Sequence, residues 1–343
     1  MKLQIHTIST RHMKKFINNP DNITQEVLEG LALAYPTKIK YEGKNIVERA
    51  VAKSQDKVAL ITLGGSGHEP ALSGFVGEGM LDASVVGDIF AAPNAVTLLS
   101  ALKKYKRDAG ILLVVLNHAG DVMSSKMALK MAAKEGIKVE TILVSDDISA
   151  GLNAPLEDRR GLAGCLPLIK VAGAAAEEGK SLEEVLEIAN KFNSRIATLA
   201  VAMTGCTHPQ TGAPISELAA DEMEIGMGQH GEGGGGRSKI LSADETAEIM
   251  FKNLAKAIDL KSGERIFAII NGTGASTPME LSIVFRKVSQ LAGDMGAKVV
   301  GGIVDELLTV QEMAGFQMIL CALDETSEKY LKARSNAPYW TTI

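Results

Sequence analysis

The sequence predicts an α/β protein of two α/β domains, the first on a largely parallel sheet and the second smaller. Three observations point there. Short apolar runs at residues 58–63, 110–116, 137–144 and 196–203 alternate with stretches of helical periodicity, the pattern of parallel strands joined by right-handed crossovers. The first run, inside KVALITLGGSGHEP (57–70), stops in glycines, as strands do where the carboxyl edge of a sheet meets a small molecule. At 343 residues the chain is also too long for one ordinary core. The expected division falls near Asn193, giving a first domain over 1–193, a second over 194–332, and a tail, 333–343, that returns to the first.

Taken in order, residues 22–35 read as a helix with Thr24 as cap and Pro36 as stop. Residues 58–63 are a buried strand. Gly64, Gly65, Ser66 and Gly67 then free the backbone for a sharp turn and leave its N–H groups bare. His68 and Glu69 sit at the tip, and Pro70 suits the first turn of a helix. A helix follows over 93–104, a strand over 110–116, a turn over 117–121, a helix over 122–134 and a strand over 137–144. Helices over 165–178 and 182–192 come next; Gly179 stops the first, and Ser181 with Glu184 makes a capping box for the second. The second set has strands at 196–203, 266–270, 299–304 and 317–323, and helices at 243–258, capped by Ser242, and 278–291. A polar, glycine-rich loop spans 228–237.

Composition narrows the function. Hydrophobic residues make up 46% but aromatics only 4%, so the cores must rest on Ala, Val, Ile, Leu and the 14 Met. A net charge of −5 argues against a nucleic-acid partner. No apolar stretch reaches the roughly 18 residues of a membrane span. Residues 1–16 lack the apolar segment of a signal peptide. Cys165, Cys206 and Cys321 are too scattered for a disulfide framework, so a cytoplasmic location is expected.

Three motifs carry chemistry. In GGSGHE, a histidine at the end of a buried strand can hydrogen-bond a substrate hydroxyl and move a proton near neutral pH. A glycine-rich turn that merely packs a helix is the plainer reading. In LNHAGD (116–121), Asp121 either accepts a proton from an alcohol attacking phosphorus or caps the following helix, and one residue can do both. His118 lines the pocket or is a surface turn residue. In DEMEIGMGQHGEGGGGR (221–237), glycines around His230 let backbone approach a ligand closely; a flexible surface loop is the alternative.

Other patterns carry less. GAAAEEGKS (173–181) has one residue too many between its glycines for a phosphate-binding loop. Cys206-Thr-His208 has no second pair of zinc ligands. The acidic pairs Asp146–Asp147 and Asp221–Glu222 read as solvated carboxylates, so no metal site is assigned.

In this order, GGSGHEP, the GD of LNHAGD and DEMEIGMGQHGE resemble the dihydroxyacetone-binding subunits of dihydroxyacetone kinases, the DhaK or Dak1 family. The likeness extends to VGEGMLDASVVGDIFAAPN (76–94), EDRRGLAG (157–164), GCTHPQTGAP (205–214) and EMAGFQM (312–318). It implies a two-domain homodimer that holds dihydroxyacetone as a hemiaminal on His230. It also implies Asp121 as base toward the hydroxyl that receives phosphorus, His68 as hydrogen-bonding aid, and Gly65, Ser66 and Gly67 as the turn lining the site. A reversible N–C bond suits so small a ligand, for which contacts alone yield at most about −1.5 kcal/mol per heavy atom.

No nucleotide motif is present. The resemblance implies Mg-ADP or Mg-ATP on a separate kinase subunit, with a phosphotransferase-system phosphocarrier as a further partner; the second α/β set is the last in these 343 residues, so that module is expected in trans. Some family paralogues instead sense the ketose and partner a transcriptional activator. Two departures stand out. Leu116 replaces a lysine and His118 a tyrosine in the family's usual Lys-Asn-Tyr-Thr-Gly-Asp turn, and NGTGAST (271–277) differs from the usual version. Dihydroxyacetone and a four-carbon ketose such as erythrulose both remain open as acceptors.

Overall fold

A computed structural model describes residues 15–343; residues 1–14, which hold most of the segment read as lacking a signal peptide, lie outside the described residues. Chain order is α1 (Ile23–Ala34), β1 (Ile39–Tyr41), β2 (Ile46–Arg49), β3 (Ala59–Ser66), β4 (Ala83–Ile89), α2 (Ala95–Lys104), β5 (Ile111–Leu116), α3 (Ala119–Lys134), β6 (Val139–Val144), α4 (Cys165–Glu178) and α5 (Leu182–Asn193). The second half contains β7 (Ile196–Ala202), β8 (Glu222–Ile225), β9 (Gly236–Lys239), α6 (Ala243–Ala257), β10 (Arg265–Gly272), α7 (Pro278–Asp294), β11 (Lys298–Asp305), β12 (Gly315–Leu323) and α8 (Glu325–Lys332). A hairpin of β13 (Ser335–Ala337) and β14 (Trp340–Thr342) follows.

The first sheet has the order β1-β2-β4-β3-β5-β6. Its β4, β3, β5 and β6 pair in parallel, and β1 and β2 add antiparallel pairs at one edge. Every residue of β5 is buried, as a central parallel strand covered on both faces requires. The second sheet, β11-β10-β12-β7-β8-β9, is mostly antiparallel; only β10 and β11 run in parallel. Helices α4 and α5 lie between the sheets. Helix α5 packs on β5 and β6 of one and on β12 of the other. Every residue of α4 from Cys165 to Ala176 is buried, the mark of a helix enclosed on several sides. One apolar core therefore runs from Leu60 and Leu112 through α4 to Ile319 and Cys321. No helix among the described residues is long and apolar enough to cross a membrane.

Helix ends follow local chemistry. Ser181–Glu184, Ser242–Glu245 and Thr277–Glu280 form capping boxes, and Gly179 closes α4 at φ +96°. Several expectations need correcting. No helix starts at Pro70. That stretch is irregular apart from one tight turn at Ser73–Phe75, because its backbone pairs with Leu308 and with the tail. The tail hairpin lies against it, with Asn336 N–H on Glu78 O (2.9 Å) and Tyr339 N–H on Gly74 O (3.0 Å).

The sharp turn expected from Gly64 onward comes only at Gly67 (φ +101°), since β3 continues through Ser66. Gly67 N–H is not bare: it donates to the Glu69 carboxylate. The 117–121 turn is shorter than expected, as α3 begins at Ala119 and puts Asp121 in its first turn. Asp146 and Asp147 are buried rather than solvated. Asp146 accepts from Leu162 and Gly164 N–H, and Asp147 pairs with Arg160.

Candidate functional site

The carboxyl ends of β3, β4 and β5 open into a cavity of about 230 Å³, closed from above by the β8–β9 loop and Leu308. Its walls are apolar at Leu63, Leu72, Phe90, Leu116 and Leu308 and polar at His68, His118, Asp121, Gln229, His230 and Glu232. Polar groups thus come from both halves of the chain, at a sheet edge where α/β proteins bind ligands.

His68 follows β3 and is held by the second half. Its Nδ1–H donates to Thr309 O (2.9 Å). Thr309 N–H donates back to His68 O (3.1 Å), Thr309 Oγ1 to Glu69 O (2.7 Å), and Gln311 Nε2 to Gly67 O (2.8 Å). Burial, then the charge of His230, lowers the pKa of His68 to about 3. His230 hangs from the β8–β9 loop, with Nδ1 3.1 Å from Glu232 Oε1 and backbone N–H on Glu232 Oε2 (2.9 Å). Burial works against the Glu232 carboxylate, but the hydrogen bond and charge of His230 hold its pKa down at about 2.

The two imidazoles meet at Nε2, 3.1 Å apart. Thr309 O can only accept, so His68 Nδ1 carries hydrogen. The Glu232 carboxylate can only accept, so His230 Nδ1 does as well. Neutral rings would then oppose two lone pairs, and the contact requires one shared proton. Burial disfavours charge on His68, and the Glu232 carboxylate lies 3.1 Å from His230 Nδ1. Phe90 packs against both rings, with centroids 5.0 and 5.8 Å away.

Asp121 is 7% exposed, and its Oδ1 has no hydrogen-bond partner among the described residues. Burial pushes its pKa up to about 7, with the charge of His230 pulling the other way. His118 donates Nε2–H to Gly161 O (2.8 Å), and burial lowers its pKa to about 4. Gln229 Nε2 also stands 3.0 Å from His118 Nε2, donor against donor, while Gln229 Oε1 is buried and unpaired. Turning that amide end for end sets its oxygen against the His118 N–H.

His68, Asp121, His230 and Gly65 thus line one cavity, and the open reading of His118 resolves to the pocket. Ser66 and Gly67 fall outside the lining; Ser66 Oγ is buried without a partner. Gly65 is a glycine for space, since a Cβ there would meet Ala91 N at 2.8 Å. Sequence reasoning missed Glu232, Gln229, Phe90 and Thr309. Glu232 had a signal: in HGE, a glycine at φ +74° lets a carboxylate fold back onto the imidazole two positions earlier.

Comparison with known proteins gives a consistent result. The Dak1 domain model matches residues 29–339. The dihydroxyacetone-binding subunit DhaK of PTS-dependent dihydroxyacetone kinase 1 from Listeria innocua is 38% identical over 314 residues, 91% of this chain and 95% of that protein. An L-erythrulose kinase from Pectobacterium atrosepticum is 38% identical over 95% of this chain but only 56% of its own length. Among solved structures, the dihydroxyacetone kinase operon co-activator Dha-DhaQ superposes with a TM-score of 0.87 at 32% identity, covering 92% of this chain and 98% of its own.

Proposed function

The chain belongs to the Dak1 domain family, and we propose that it is a ketose-binding kinase subunit that captures a short ketose on His230 for phosphorylation by a partner protein. The observation that carries this reading is the 3.1 Å contact between His68 Nε2 and His230 Nε2, beside an unpartnered Asp121 oxygen in one small cavity.

The proton accounting supports a complete capture step. His68 Nε2 takes the proton from His230 Nε2. The freed lone pair forms an N–C bond to the ketone carbon, and the carbonyl π pair moves to oxygen. His68 then delivers the proton to that oxygen, making the carbinol. His230 keeps its Nδ1–H on Glu232, whose carboxylate balances the positive ring. Glycerol has no carbonyl and is excluded by the same chemistry. Anchoring the ketose removes most of its rotational freedom before phosphoryl transfer.

Asp121 then takes the proton of the terminal hydroxyl as that oxygen attacks phosphorus. A buried carboxyl with a pKa near 7 suits a base working at neutral pH. The donor in this reading is a Mg-nucleotide on the partner; that a partner exists is supported by the names of the DhaK relatives, which describe one subunit of a PTS-dependent kinase. Dihydroxyacetone is the first candidate ketose; the likeness to an L-erythrulose kinase supports a four-carbon ketose as the second.

A ketose-binding coactivator is the other reading, supported by the likeness to Dha-DhaQ. One experiment separates them. The chain is mixed with dihydroxyacetone or erythrulose, a nucleotide-bearing partner subunit and a phosphoryl donor, and ketose phosphate is measured. Turnover that disappears in Asp121→Ala supports the kinase; ketose binding without turnover supports the coactivator. Crystals soaked with dihydroxyacetone should show continuous density from His230 Nε2 to the ketone carbon. A ketose held without that bond sinks the covalent reading.

A further inference from the structure

We propose that the cavity is also a binding site for a zinc-class divalent ion, held by His118, His230 and Glu232. One ligand atom from each of these side chains lies within 4.8 Å of those of the other two. The sequence hides the set because His118 caps α3 while His230 and Glu232 belong to the β8–β9 loop.

Three further observations point to an ion. The first is the spacing of His230 Nδ1 and Glu232 Oε1, 3.1 Å apart. Two ligands each about 2.0–2.1 Å from zinc stand about 3.4 Å apart at the tetrahedral angle, so a small separation admits the ion. His118 supplies the second: its Nε2–H is committed to Gly161 O, which leaves Nδ1 as the free ring nitrogen. A carbonyl behind the imidazole is the usual support of a metal-ligating histidine. The third is Asp121, 7% exposed, unpartnered at Oδ1 and lining the same cavity. A zinc ion with three protein ligands keeps a water in the fourth position, and that water donates to the Asp121 carboxylate.

The hydrogen-bond account between the two histidines agrees. With an ion on His230 Nδ1, the ring carries its hydrogen on Nε2 and donates it to His68 Nε2, so the 3.1 Å contact needs no extra proton. Two imidazoles and one carboxylate suit zinc and reject magnesium, which demands oxygen ligands. Ion and ketose exclude each other, because an ion on His230 Nδ1 leaves the ring hydrogen on Nε2 and so ties up the lone pair that capture needs. This exclusion rests on the covalent reading above; the ion site does not.

The test uses the full chain, stripped with a chelator and dialysed against buffered Zn²⁺ alone, with metal content measured per chain. About one zinc per chain is expected, unaffected by Mg²⁺ at about 1 mM. His118→Asn should weaken binding at least tenfold, and asparagine is favoured at the N-cap position that His118 holds without a side-chain cap bond, so the fold is retained; Glu232→Gln should weaken it similarly. Zinc binding that is absent, or that both variants leave unchanged, overturns the site. Next, ketose labelled with ¹³C at the carbonyl is added, and the adduct is read by its carbon resonance with and without saturating zinc. Loss of the adduct with zinc supports the exclusion, and an undiminished adduct on the zinc-loaded chain overturns it. No adduct even in chelator defeats the covalent reading and leaves the zinc measurement standing.

Discussion

The two edges of the first sheet bury an aspartate each, and treat it in opposite ways. At the amino edge, Asp82 is 0% exposed and fully engaged: Oδ1 accepts from Arg49 (3.2 Å), and Oδ2 accepts from Lys53 and from Leu60 N–H (both 2.8 Å). Arg49 reaches on to Glu177, and Lys53 to Val58 O. At the carboxyl edge, Asp121 keeps an oxygen without a partner. A buried carboxyl left unmatched costs stability, and such groups persist where they act on something outside the chain. One sheet thus ties its strands together at one end and leaves a buried carboxylate oxygen unpaired beside a cavity at the other.

The largest effect that tests this contrast is on turnover. Asp121→Asn should cut ketose phosphorylation by roughly 10²–10⁴-fold while leaving capture on His230 intact. Capture and transfer lost together would place Asp121 in the binding step instead. At the other edge, Asp82→Ala leaves buried Lys53 without its carboxylate and Arg49 with Glu177 alone, and should lower the unfolding free energy by about 3–5 kcal/mol in a denaturant titration. A loss below about 1 kcal/mol would mean that the amino edge does not hold the strands.

The pH profiles sharpen the comparison. Asp121 has a folded pKa of about 7 against 3.8 as the unfolded reference. Stability conferred by its neutral form is full below 3.8 and is lost as pH rises through about 7. Asp121→Asn should therefore match wild type near pH 4 and exceed it by about 2–4 kcal/mol at pH 8. Turnover runs the other way, rising as the carboxylate forms. Away from both edges, Ser181→Ala removes only a helix cap and should cost about 1 kcal/mol with no change in turnover.

How far each part was legible follows from where its determinants lie. Helices with their own caps, such as the one opened by Ser181 and Glu184, were readable because caps act within one turn. Buried runs such as ILLVVL announced the central strands. The strands β1, β2, β8 and β9 are four residues or fewer and include charged residues such as Glu48, Arg49, Glu224 and Arg237, so they carry no such signal. Pro70 misled because pairing with Leu308 overrides a local helix start. In the site, GGSGHE, GD and HGE marked polar groups that line the cavity. What sets their state did not show: the carbonyl that fixes the His68 tautomer lies 241 positions away, at Thr309.

That long-range hold makes the proposed capture conditional on a closed seam. The 67–69 turn is tied to residues 309–311 by four hydrogen bonds, one of them to the His68 ring itself. If the halves part by more than the reach of one such bond, the imidazole is free to rotate and to move its hydrogen to the other nitrogen. For the proposed capture step, such an opening would disarm the proton relay and closing would rearm it.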